Sequence, residues 1–226
     1  ISQSLAGRTA LVTLLPLSIA ELTGAGIILS RDEYIFNGFM PRIYSEHVSP
    51  ANLYRNYYQT YVERDVRQLI HLNNQQSFEL FFKLLAGRIG QVINLHSLSG
   101  EVGVSVPTLS SWLSVLEASY LVFRLPGYYK NFGKRVLKAP KIYFTDVGLA
   151  AWLLGIRDSG QVAQNPVIGG LFENMVVLEA LKARMHTGQD ADLYFFQDSN
   201  GIEVDLLLDA GQKLHSFEIK SAMTYH

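Results

Sequence analysis

The sequence predicts an α+β fold, and three observations carry that expectation. Apolar residues at helical spacing, Tyr54, Tyr57, Tyr58 and Tyr61 and then Phe78, Phe81, Phe82 and Leu85, predict a helical platform. A helix-turn-helix followed by two strand-like segments comes next, and the chain ends in a helix followed by three strands joined by turn-rich connections. With 48% hydrophobic and 17% charged residues, the 226-residue chain has enough apolar side chain for a core and too little charge for disorder. Its length corresponds to one large domain or two small ones.

The first segment, residues 1–30, holds a short helix candidate, a strand-like TALVTLLPL stretch, and Ser18 with Glu21 three residues on, the pattern of a helix-capping box. It is too short for its own core, so it packs on the next segment or belongs to a domain whose larger part lies elsewhere. Residues 31–90 form the platform: a long amphipathic helix from Ser49-Pro50 to about Leu72, with Glu63, Arg64 and Arg67 on its charged side, and a second from Gln75 to Gly90. Residues 91–158 read as a winged helix. A helix over 95–102, a turn, a Pro107-led helix to Ala118, a strand from Tyr120, a polar loop and a returning strand at 141–144 give that outline, and Asp146 caps the helix after it. A loop rich in Gly, Gln and Asn opens residues 159–226, where a helix over 171–185 precedes strands at 193–197, 202–208 and 214–220.

Composition narrows the functions. Lys and Arg number 19 against 20 Asp and Glu, so any nucleic-acid contact must come from a local patch. The absence of Cys removes disulfides, thiolate zinc sites and Cys nucleophiles, and fits a cytoplasmic location. No apolar run reaches the roughly 18 residues of a membrane helix. The six His show no zinc-site spacing, and no phosphate-cradling glycine loop occurs.

Strand alternation places Glu203 and Asp205 opposite Val204 and Leu206, and Glu218 and Lys220 opposite a core-facing Phe217 and Ile219. Two carboxylates, Asp205 and Glu218, suit a hard divalent ion such as Mg2+, and Lys220 suits the attacking water. Glu173, early in the preceding helix, reaches toward the same face. The pattern equally fits an ordinary charged outer face with cross-strand pairing. In the helix-turn-helix, Thr108, Ser110, Ser111 and Ser114 offer hydrogen bonds but no positive charge. That charge lies in the wing, at Arg124, Lys130, Lys134, Arg135, Lys138 and Lys141, with aromatics interleaved and no acid between Glu117 and Asp146. A solvated loop is the alternative.

The order helix with Glu173, plain strand, strand with Asp205, strand with Glu218-x-Lys220 resembles the PD-(D/E)XK nuclease core. That resemblance implies Asp205 and Glu218 as magnesium ligands, Lys220 on the nucleophilic water and Glu173 assisting. It departs from the family pattern in stopping six residues after Lys220, which leads us to expect a truncated domain. Seven ordered strings widen the likeness: 4–8 (SLAGR), 15–18 (LPLS) with Glu21, 57–67 (YYQTYVERDVR), the helix-turn-helix ending in Leu121-Val122, 141–149 (KIYFTDVGL), 171–174 (LFEN), and Glu203-Val-Asp205 with Glu218-Ile-Lys220. In this order they resemble prokaryotic AAA-type ATPases with a C-terminal domain of unknown function. The resemblance implies that the first residues are the tail of an ATPase domain, with Arg8 either reaching nucleotide or serving structurally, and that ATP binds only upstream. The function it implies is nucleic-acid binding with a nuclease-like site. The alternative is a non-catalytic module for self-association or for holding another protein.

Overall fold

A computed structural model describes residues 12–66, 75–129, 139–198 and 201–221. The fold is α+β, with helices through the first part of the chain and two antiparallel sheets. The 1–11 stretch with Arg8, the end of the long helix with Arg67 and Leu69, and Lys130, Lys134, Arg135 and Lys138 lie outside the described residues.

Helix α1 (Ile19–Gly24) starts at the predicted capping box, where Ser18 and Glu21 satisfy each other's backbone N–H groups. The residues before it, from Val12 to Ser18, form no strand. Helix α2 (Arg31–Asn37) carries a second box, Ser30 with Glu33, which the sequence reading passed over. Ser30→Ala is expected to cost about 1 kcal/mol in urea unfolding, because it leaves an N-terminal N–H without an acceptor. Helices α3 (Pro41–Ser45) and α4 (Pro50–Tyr57) both open on proline, whose missing N–H costs nothing at that position.

The predicted long helix does not continue as an α-helix: from Tyr58 to Val66 the chain winds as a π-helix. Its buried residues explain the change. Tyr54, Tyr58, Val62 and Val66 recur every four residues, longer than the 3.6-residue α turn, and a wider turn keeps all of them against the core. Opposite them, α5 (Gln75–Gly87) buries Phe78, Phe81, Phe82 and Leu85, as its spacing predicts.

Helices α6 (Leu95–Val102) and α7 (Val106–Ala118) turn at Gly103, whose φ of 76° is left-handed. They lead into β1 (Val122–Leu125) and β2 (Lys141–Phe144), an antiparallel ribbon registered Val122 on Phe144. The order helix, turn, helix, two-stranded ribbon is the one the sequence predicts. Asp146 caps α8 (Val147–Leu153), and a 3-10 turn (Ser159–Gln161) leads to α9 (Ile168–Met185), which starts three residues before the expected position.

Strands β3 (Leu193–Gln197), β4 (Glu203–Asp209) and β5 (Leu214–Phe217) form the second sheet in that order, with a bulge between Tyr194 and Phe196. The ribbon meets this sheet through Tyr128 N–H to Phe195 O (2.6 Å) and Phe195 N–H to Pro126 O (3.0 Å). One buried cluster runs from Leu22 to Met175; a second gathers Leu125, Tyr143, Leu178, Leu193, Phe195 and Leu206. Helix α9 belongs to both, giving Leu171 and Met175 to the first and Val177, Leu178 and Leu181 to the second.

Two expectations about the last strand are corrected. β5 ends at Phe217, so Glu218, Ile219 and Lys220 lie beyond it, and Phe217 is 47% exposed instead of in the core. All of β5 is exposed because it borders the sheet and no element covers its faces among the described residues. Ile219 is partly buried against the second cluster, as expected.

Candidate functional site

Strand β2 alternates Lys141 and Tyr143 toward one side, and α9 presents Glu173 and Asn174 at the same level. The buried Asn174 amide acts as an extra rung on β2: its Oδ1 accepts from Phe144 N–H at 2.7 Å and its Nδ2 donates to Phe144 O at 3.0 Å. With the two elements fixed this way, Tyr143 OH donates to Glu173 Oε1 at 2.5 Å and Lys141 Nζ lies 3.0 Å from the same oxygen. The other Glu173 oxygen lies over Gly90, where a Cβ would stand 3.1 Å from it. Gly90 also has a left-handed φ of 76°, so the backbone favours glycine there and the carboxylate leaves a side chain little room.

Strand β4 brings the remaining acids. Glu203 Oε1 is 2.7 Å from Lys141 Nζ, so this one ammonium bridges two carboxylates while being only 3% exposed. Asp205 Oδ2 accepts from Ile219 N–H at 2.7 Å, which holds the stretch after β5 against β4. Arg31 Nη1 donates to Ser221 O at 2.7 Å and secures the same stretch from α2. Glu218 and Lys220 form an ion pair with each other, both well exposed.

Electrostatics unite these groups. Burial works against the Lys141 ammonium, but Glu203 and Glu173 outweigh it and raise its pKa above the ordinary lysine value. Burial raises the Glu173 pKa, partly offset by hydrogen bonds from Tyr143 and Lys141, and Asp205 raises it further. Tyr143 is held far from ionisation by burial and by Glu173, with Asp205 and Glu203 adding to the effect. The Lys220 pKa is raised, first by its bond to Glu218 and also by the charges of Asp205 and Glu203.

Asp205 of β4 thus acts electrostatically both on Glu173 of α9 and on Lys220, which follows β5 and pairs with Glu218. The sequence reading missed Tyr143 and Lys141, both bonded to Glu173, and counted Lys141 with the wing's basic residues. The available signal was parity: Lys141 and Tyr143 alternate on β2 just as Glu203 and Asp205 do on β4. In this arrangement the acids are already engaged within the protein. The Lys141 ammonium stands between Glu173 and Glu203, Glu218 is turned to Lys220, and among the described residues no three His, Asp or Glu side chains are placed to share an ion.

On the helix-turn-helix, Ser110, Ser111 and Ser114 of α7 are exposed and Thr108 is half-buried in the N-terminal cap with Ser105. Arg124 of β1 donates to Ser114 Oγ at 3.2 Å and pairs with Glu117 at 3.0 Å, so its charge is partly spent within the protein.

Fold and site together define a helix-rich α+β chain whose ribbon docks on a three-stranded sheet, beside the acidic start of its central strand. Residues 29–160 match a domain of unknown function, DUF8612, and residues 168–226 match a second domain of unknown function, DUF4143. Since the first match covers more than half of the chain, the chain belongs to the DUF8612 family. It is 30% identical over 224 residues to the uncharacterized proteins Rv2008c of Mycobacterium tuberculosis and Mb2031c of Mycobacterium bovis. Those alignments take in 99% of this chain and 49% of each relative, so the chain spans about half the length of the curated relatives it matches. No solved structure matches it. No helix among the described residues is long and apolar enough to cross a membrane.

Proposed function

We propose that this chain is the part of an AAA-type ATPase that follows the nucleotide-binding domain, and that it engages nucleic acid through a winged helix. The observation that carries the reading is the pairing of the exposed Ser110, Ser111 and Ser114 face of α7 with the ribbon beside it. The sequence between the ribbon's two strands carries Lys130, Lys134, Arg135 and Lys138, with no acid between Glu117 and Asp146. Serine hydroxyls together with a basic stretch of sequence suit phosphate oxygens, and positive charge supplies much of the affinity. The unit of α9 and β3 to β5 takes the nuclease-like part of this reading, with Glu173, Asp205, Glu218 and Lys220 as its chemistry-bearing residues.

The test is binding of labelled single- and double-stranded oligonucleotides across a salt series. Replacing Lys134 and Arg135 by alanine is expected to weaken binding and to flatten the log–log salt dependence by about two units, one per phosphate. An unchanged slope would return both residues to a solvated loop. A second reading, an assembly module that binds a further copy or another protein, is favoured by the internal pairing of the acids through Lys141. It predicts no oligonucleotide binding even at low salt.

A further inference from the structure

We propose that Lys141 is a built-in counter-ion: its ammonium takes the place a divalent ion would hold at the acidic end of the sheet, where β4 begins, and it closes that end against metal. The inference rests on the nuclease-like reading only in treating this end as a cation-binding face.

Lys141 is not a surface lysine that happens to find an acid. It is 3% exposed, with its charge 3.0 Å from Glu173 and 2.7 Å from Glu203. Its backbone is secured on every side. Ile142 is bonded to Gln91 and Gly90, Pro140 O accepts from Ile93 N–H at 2.9 Å, β1 pairs the strand in register, and Asn174 holds Phe144. The Lys141 ammonium also lies 5.5 Å from the Phe195 ring centroid, so an aromatic wall shields it on another side.

An ammonium donates hydrogen bonds and accepts none, so a metal ion entering between Glu173 and Glu203 meets a positive charge and no added ligand. With Lys141 withdrawn, Glu173, Glu203 and Asp205 remain as like charges in a half-buried place, and that arrangement attracts a hard cation. Lys220 is a second cation near these acids among the described residues, but it is exposed and turned to Glu218.

The probe is Mn2+ alone, titrated into the full 226-residue chain and followed by electron paramagnetic resonance and by broadening of nearby signals. Wild type is expected to take up no Mn2+ at this end at millimolar concentration. Lys141→Met and Lys141→Gln should each bind it at least tenfold more tightly, and adding Glu203→Gln should reverse most of that gain. Equal binding by wild type, or no uptake by a variant that still melts cooperatively, would overturn the proposal. If neither variant folds, wild type decides by mapped reductive methylation. Protection of Lys141 relative to the exposed Lys213, relieved by Glu203→Gln, supports the counter-ion; labelling of Lys141 as fast as Lys213 rejects it. Neither readout uses cleavage or oligonucleotide affinity, so loss of nucleic-acid binding and loss of this proposal are separate results.

Discussion

Replacing Asp146 by alanine is expected to destabilise the fold by about 3–5 kcal/mol in urea unfolding, near the upper end for a single substitution. The carboxylate is 1% exposed and serves three elements. Its Oδ1 accepts from Leu149 N–H at 3.0 Å, capping α8, and lies 2.6 Å from the Tyr54 hydroxyl of α4; its Oδ2 accepts from Phe39 N–H at 2.8 Å, just after α2. Alanine leaves buried donors on all three. Asparagine should rescue only part of the loss, because its amide can face Leu149 and Tyr54 with oxygen but then presents N–H to the N–H of Phe39. The same point explains Gly38 and Gly148, whose Cα atoms approach so closely that a Cβ on Gly148 would stand 2.8 Å from Gly38 Cα. If Asp146→Ala costs less than about 1.5 kcal/mol, this junction does not organise the core.

The second large effect is expected at Glu179. Lys182 is fully buried, donating to Glu179 Oε1 at 2.8 Å and to Leu17 O at 2.6 Å, with its charge 3.8 Å from the Phe39 ring centroid. Glu179 Oε2 also accepts from Ile19 N–H at 2.8 Å, and His186 Nε2 accepts from Leu15 N–H at 3.2 Å, so one face of α9 clamps the segment entering α1. Glu179→Ala strips a buried ammonium of its counter-charge, at an expected cost of about 3–5 kcal/mol. Lys182→Met should cost clearly less, since Glu179 is 23% exposed and can turn to water whereas Lys182 cannot. Equal costs for the two would reject this asymmetry. The pH dependence has a definite sign. Burial lowers the folded-state pKa of Lys182 below the ordinary 10.5, so the folded chain releases this proton before the unfolded chain does. Stability therefore rises with pH between the depressed folded value and the unfolded one. Losing Glu179 depresses the folded value further, so Glu179→Ala should recover more stability than wild type as the pH rises toward the unfolded lysine value.

Much of the fold is legible without coordinates because it follows from local rules. The box at Ser18 and Glu21, the cap at Asp146, and the spacing of Phe78, Phe81, Phe82 and Leu85 are set by near neighbours. The π-helical winding was less visible: the four-residue recurrence of Tyr54, Tyr58, Val62 and Val66 is in the sequence, but an α-helix with a drifting stripe explains it equally well until the core is known. The limits of β5 were illegible for a similar reason. Alternation continues through Phe217, Glu218, Ile219 and Lys220, yet the ladder stops where the Asp205 side chain takes the Ile219 N–H that another strand would otherwise use.

By itself the sequence determined the order of elements, the parity that puts Glu203 and Asp205 on one face, and the absence of a nucleotide-cradling loop. Each of these depends on residues within a few positions of one another. Only the tertiary structure decided that Lys141 belongs to the acids and not to the basic wing. On its own strand it is one more cation in a positive stretch. The Asn174 rung brings α9 alongside β2, Lys141 meets Glu173 from 32 residues away and Glu203 from beyond that, and burial makes the meeting matter. An exposed ammonium would trade these partners for water at little cost, whereas one kept 3% exposed must hold both.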